Sequence, residues 1–124
     1  MKKILIVDDD VTFQKIMSDS LKSSGYIVSV ASDGEEGLVA TEKESPDLII
    51  LDLAMPKLGG IDFLKMLNKD NDVNKIPVLI MSNFSGSDKV NEGIEYGVRG
   101  FIVKSDESLQ NIVNAVESII GKSE

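Results

Sequence analysis

The chain contains neither cysteine nor histidine. Those two gaps remove thiol nucleophiles, serine–histidine triads, zinc sites of the usual kind and imidazole acid–base catalysis in one step. Arginine is nearly absent as well: Arg99 is the single one, and the formal net charge is −8. Phosphate backbones are bound by clustered Lys and Arg, so nucleic acid is not expected as a direct partner. No apolar run approaches the roughly 20 residues that a membrane helix needs. The stretch Lys2 to Val7 is basic and then apolar, but Asp8, Asp9 and Asp10 stop it well short of a secretory signal. The expected location is the cytoplasm.

What remains is a chain of 124 residues, 42% hydrophobic and 27% charged, which fits one soluble domain spanning 1–124 with a core that needs no disulfide. Apolar runs of strand length occur at Ile4 to Val7, Leu48 to Leu51, Val78 to Met81 and Phe101 to Val103, with a weaker run from Ile27 to Val30. Helical spacing fills the gaps. Phe13, Ile16, Met17 and Leu21 mark a first helix that starts near Asp10 or Thr12 and ends at Gly25. A second follows Gly34 and stops before Pro46, a third follows Gly59-Gly60, and a fourth runs from Ser87 or Asp88 to Gly97. In the last, Leu109, Ile112, Val113, Val116, Ile119 and Ile120 share one face.

Strands alternating with helices predict an α/β fold, (βα)5, with a parallel five-stranded sheet doubly wound by helices on both faces. Central parallel strands are buried on both sides and read as unbroken apolar runs. The first, third and fourth runs have that character, which leaves the second and fifth at the edges and predicts the order 2-1-3-4-5. In such a sheet ligands bind beyond the carboxyl ends of strands one and three.

Those ends carry the polar residues. Asp8, Asp9 and Asp10 follow strand one, Asp52 follows strand three, Ser82 follows strand four and Lys104 follows strand five. Singly, an Asp after a strand is an ordinary helix N-cap, and Asp10 fits that role. Jointly, strands one and three bring carboxylates together, and two such charges about 4 Å apart repel by roughly 4 kcal/mol at an effective dielectric near 20. A divalent cation reverses the sign, and an oxygen-only exposed site favours Mg²⁺. Lys104 adds a positive charge that can pair with Asp52.

These motifs resemble the receiver domain of response regulators, most closely the stand-alone chemotaxis-type form, which has a flavodoxin-like fold. The residues concerned are Asp8-Asp9 after Ile4 to Val7, the stretch Asp52-Leu53-Ala54-Met55-Pro56 with Gly60, Ser82, and Phe101-Ile102-Val103-Lys104. The resemblance implies Asp52 as phosphoacceptor in a two-component phosphorelay. It implies Asp9, Asp52 and the backbone carbonyl of Ala54 as Mg²⁺ ligands, with Asp8 acting through a metal-bound water. Ser82 and Lys104 would bind the phosphoryl group, and Phe101 would be the aromatic that follows Ser82. Phosphoryl transfer asks mainly for positioning and charge neutralisation, which this residue set can supply.

The donor implied is a histidine kinase or histidine phosphotransfer protein, since a chain without histidine cannot supply its own phosphohistidine. Output would leave through the fourth helix, fifth strand and last helix, near Lys89, Glu92, Tyr96, Val98 and Arg99, from a monomer or weak dimer. Two positions depart from the family: Asn83 stands where a small Ala or Gly is usual, and Ser105 where Pro usually follows the lysine. Asn83 is expected to crowd the phosphoryl group. Ala54 and Phe84 offer a methyl and a phenyl where a polar side chain could hold an attacking water, which predicts a long-lived phosphorylated state.

Competing readings are weaker. Asp70-Asn71-Asp72-Val73-Asn74 opens like a calcium loop, but Lys75 and Met81 occupy the positions that need Gly and Glu. An FMN site would need a Ser/Thr/Gly-rich loop after strand one. An aspartate-nucleophile phosphatase would place its nucleophile after strand one under a cap for which no residues are available. A docking receiver that is not phosphorylated would usually lack the acidic pair or the lysine. The expectation is a regulatory switch that turns over no external substrate.

Overall fold

A computed structural model describes residues 2–53, 59–67, 76–82, 98–103 and 108–121, with Ser82 described by its backbone. The elements are β1 (Lys3–Val7), α1 (Val11–Ser23), β2 (Ile27–Ala31), α2 (Gly34–Glu44), β3 (Leu48–Leu51), α3 (Gly60–Leu67), β4 (Val78–Ser82), β5 (Val98–Val103) and α4 (Leu109–Ile120). The helix expected from Ser87 or Asp88 to Gly97 lies outside the described residues, as do Ala54, Asn83, Phe84, Lys104, Ser105 and the 70–74 stretch.

All strand pairs are parallel, and the order is β2-β1-β3-β4-β5, as the apolar runs predict. The reason shows in the burial. Ile4 to Val7 and every residue of β3 are buried, whereas most of β2 is exposed or half-exposed at the sheet edge. Alternation then divides the core. Ile4, Ile6, Leu48, Ile50, Leu79 and Met81 pack with Met17 and Leu21 of α1 and Ile112, Val113 and Val116 of α4. Leu5, Val7, Ile49, Leu51, Val78 and Ile80 pack with Phe63, Leu64 and Leu67 of α3, and Leu38 and Ala40 of α2 pack against them. Each strand thus serves two cores, because successive side chains point to opposite faces.

The caps work as expected at both ends of α1. The Asp10 carboxylate accepts the Phe13 N–H at 3.1 Å, and Gly25 takes the positive φ of 95° beyond the helix. Asp33 caps α2 in the same way, accepting the Glu36 N–H at 2.9 Å.

Four details differ from expectation. The buried stripe of α1 is Gln14, Met17, Ser18 and Leu21, rotated by about one residue from the apolar set, so Ile16 is 45% exposed and Phe13 is half-buried. Leu109 is 42% exposed because it opens the first turn of α4, outside the Ile112–Val116 contact. β5 begins at Val98 rather than Phe101: Val78 pairs with Val98 and Leu79 with Gly100, so Arg99 is the extra residue of an irregularity in the ladder. Ser82 closes β4, paired with Val103, rather than following the strand.

Candidate functional site

β1 and β3 lie side by side with Val7 opposite Leu51, so the residues that follow, Asp8 and Asp52, leave the sheet at the same level. The ladder continues one step past the strand ends. Asp8 N–H is donated to the Ala31 carbonyl and Asp52 N–H to the Val7 carbonyl, both at 3.0 Å. Asp8 and Asp52 are consequently buried, at 2% and 7% exposure, while Asp9 on the turn between them and α1 is exposed. One carboxylate oxygen from each of the three falls within 4.8 Å of the others.

The turn that carries the acidic pair is closed by its own side chains. The Asp8 carboxylate accepts the Asp10 N–H at 2.9 Å, and the Asp10 carboxylate in turn caps α1. Asp10 is therefore occupied as a cap, the ordinary role anticipated for it, and Asp8, Asp9 and Asp52 form the cluster. Below it, α3 starts against the chain that leaves Asp52. Gly60 N–H is donated to the Leu53 carbonyl at 3.1 Å, and a Cβ on Gly60 would lie 2.6 Å from the Asp52 carbonyl oxygen. Any side chain larger than hydrogen would force the backbone there to shift.

Of the remaining candidates, Phe101 is half-buried in β5 opposite Ile80 and packs against the α2–α3 core. Ser82 reaches the carboxyl end of β4 by its backbone. A groove of about 450 Å³ between β2 and α2, lined by Ser29, Ala31, Glu36 and Val39, does not contain these carboxylates. The site lies at the carboxyl ends of the central strands, and among the described residues its chemistry is that of clustered hard oxygen donors, which suits a divalent cation more than any soft metal. One residue escaped the sequence reading. Gln14 is buried beneath the turn with its amide on the Asp8 carbonyl, and its signal was a polar residue at the i−3 position from Met17 on the buried stripe of α1.

The family model for the response regulator receiver domain matches residues 4–117. This chain belongs to that family. The receiver is 40% identical over 125 residues to the alkaline phosphatase synthesis transcriptional regulatory protein PhoP of Bacillus subtilis, covering 99% of this chain and 50% of that protein. It spans about half the length of the curated relatives it matches first. Among solved structures, the chemotaxis protein CheY4 of Vibrio cholerae superposes with a TM-score of 0.89 at 29% identity, covering 96% of this receiver and 98% of that chain. The response regulator Rcp1 in its Mn²⁺-bound form gives a TM-score of 0.82 at 27% identity, covering 95% and 93%. The receiver is thus a regulatory domain of two-component systems, a class that works with kinases and output partners. Among its described residues no helix is long and apolar enough to cross a membrane.

Proposed function

We propose that the receiver takes a phosphoryl group on Asp52 from the phosphohistidine of a histidine kinase or histidine phosphotransfer protein, in the presence of Mg²⁺. The observation that carries this reading is the convergence of Asp8, Asp9 and Asp52 within 4.8 Å at the ends of two adjacent central strands. Asp9, Asp52 and the Ala54 carbonyl would hold the cation, with Asp8 reaching it through water. Bound there, Mg²⁺ would neutralise the carboxylates and the oxygens of the incoming phosphoryl group. Rcp1, a relative that binds Mn²⁺, supports a divalent ion in this family.

In the transfer itself an Asp52 carboxylate oxygen forms a bond to phosphorus while the P–N bond of the phosphoimidazole breaks. The electron pair returns to the ring nitrogen, which takes up a proton, and the product is an acyl phosphate. The ladder bond to Val7 fixes the backbone of Asp52, and positioning of the nucleophile is the larger part of what phosphoryl transfer requires. Ser82 and Lys104 then bind the phosphoryl oxygens, and Phe101 turns as Ser82 is drawn inward. The resulting shift in packing alters the surface to which β5 and α4 contribute, where the output partner docks. The domain spans 1–124, acts in the cytoplasm and turns over no external substrate.

The test is intact mass and peptide mapping after incubation with acetyl phosphate and Mg²⁺. One added phosphoryl group on Asp52, absent from Asp52→Asn, is expected. A modification elsewhere with Asp52 bare refutes the assignment.

A further inference from the structure

The cluster depends on a turn whose two carboxylates sit on adjacent residues, and the peptide joining them is held from beneath. Gln14, 7% exposed on the buried stripe of α1, donates its side-chain amide to the Asp8 carbonyl. The same nitrogen lies 3.2 Å from the Ser32 hydroxyl and 3.4 Å from the Ala31 carbonyl. An amide nitrogen carries two protons, so these acceptors compete for a single buried donor group. Ala31 already accepts the Asp8 N–H. The exits of β1 and β2 are therefore tied together by a ladder bond and, beneath it, by one side chain. The β2–α2 turn is locked in its turn, because Ser32 N–H is donated to the Glu36 carboxylate at 3.1 Å while Asp33 caps Glu36.

The peptide unit is planar, so fixing the Asp8 carbonyl fixes the plane of the whole Asp8–Asp9 link. That plane sets the direction in which Asp9 leaves the turn relative to Asp8. We propose that Gln14 is a positioning residue for the acidic site: its amide orients the Asp8–Asp9 peptide, so that the three carboxylates converge, and anchors it to the β2–α2 turn. The inference rests on the reading of that site as the cation-binding centre. Groups that orient metal ligands from outside the coordination shell change affinity by about 10- to 100-fold when removed.

A purely structural amide would affect stability alone, so the experiment separates the two. Mg²⁺ is titrated by NMR into wild type, Gln14→Met and Met17→Ala, and the backbone carbonyl shift of Asp8 is read in each metal-free protein. Methionine keeps the length and buried volume of Gln14 without its donors. Met17→Ala leaves a cavity one turn along the same stripe without touching the acidic turn. The expected result is about 10-fold weaker Mg²⁺ binding in Gln14→Met with a displaced Asp8 carbonyl signal. Met17→Ala should melt lower yet bind Mg²⁺ as wild type does. If Gln14→Met does not fold, Gln14→Asn, one methylene too short to reach the Asp8 carbonyl, is expected to show the same loss. Unchanged affinity and an unmoved carbonyl signal in the folded Gln14 variant overturn the inference while wild-type binding leaves the site reading standing. Absence of Mg²⁺ binding in wild type defeats the site reading first.

Discussion

Gly60 opens α3 directly beneath the chain that leaves Asp52, and Gly60→Ala tests how tightly that junction is built. A Cβ there would stand 2.6 Å from both the Asp52 carbonyl oxygen and Leu53 Cα, and 3.0 Å from a Leu53 methyl. Ordinary contact for such atoms lies at 3.5–4.0 Å. The two closest obstacles are backbone atoms, which cannot rotate aside, so the helix start or the 52–53 segment must shift by roughly 1 Å. Overpacking of that kind costs about 1–3 kcal/mol. Alanine returns at most about 1 kcal/mol through its higher helix propensity, so the clash wins and the net effect is destabilising. In a chain of this length 1 kcal/mol corresponds to about 4 °C in Tm, so a fall of up to about 10 °C is expected. Gly59→Ala is the matched control, since its nearest obstacle is the Leu53 carbonyl at an ordinary 3.7 Å. It meets no clash, so its loss of stability should be confined to the poorer capping by Ala at the residue whose carbonyl accepts the Phe63 N–H, about 1 kcal/mol or less. Urea and thermal unfolding of both variants, followed by Mg²⁺ titration, give the readout. Because relief of the clash displaces the peptide that carries Asp52, Gly60→Ala should also bind Mg²⁺ more weakly. Equal stability and affinity in the two variants would refute the close approach.

Asp9→Ala should weaken Mg²⁺ binding by at least about 10-fold in an NMR titration, because it removes a carboxylate of the cluster. Tyr26 gives a pH dependence: burial first, and then the nearby Glu117 carboxylate, raise its pKa above the ordinary value of 10.0 while its hydroxyl donates to the Gly121 carbonyl at 2.8 Å. A raised folded-state value means that its contribution is complete below about pH 10 and is lost as the pH climbs through the folded value. Tyr26→Phe should flatten that alkaline decline in urea midpoints. Loss of phosphate from the phosphorylated receiver should be slow, and an Ala54→Asn, Phe84→Glu double variant should lose it faster at saturating Mg²⁺. Equal rates would show that these apolar positions do not prolong the signal.

The sheet was legible because its central strands are buried on both faces and carry no polar interruption. The start of β5 was not, since Arg99 and Gly100 break the apolar run. Arg99 is tolerated as the extra residue of the ladder irregularity, and Gly100 leaves room for Leu79, whose methyl would lie 3.0 Å from a Cβ. The acidic cluster was legible for a different reason, because topology turns residues far apart in sequence into neighbours at one sheet edge. Gln14 was missed because helical periodicity favoured the apolar set Phe13, Ile16, Met17 and Leu21. The protein instead buries a neighbouring stripe in which one amide is satisfied by the Asp8 carbonyl. A pattern of apolar residues cannot reveal a buried polar group whose partners come from other elements.

That the carboxylates were recognisable as a site follows from their cost, and the cost is measurable. Asp8 and Asp52 are buried, and Asp9 brings a third carboxylate into the same small volume. Hydrogen bonds such as that from Asp10 N–H to Asp8 offset part of the repulsion, and on the charge-cluster account each further negative charge there opposes folding when no cation is bound. Asp9 is exposed, so solvent screens its share to about 0.5–1 kcal/mol. Asp9→Asn, which keeps the shape and removes the charge, should therefore raise the Tm of the metal-free protein by about 2–4 °C. Mg²⁺ should reverse the ranking. A ligand that binds only the folded state at tenfold excess over its Kd adds about 1.4 kcal/mol, and wild type should gain it while Asp9→Asn gains little. Thermal unfolding of both proteins with and without Mg²⁺ therefore gives crossing stabilities. If Asp9→Asn is the less stable protein without metal, the carboxylates are held by contacts that outweigh their repulsion, and the account of the site as a charge cluster waiting for a cation fails.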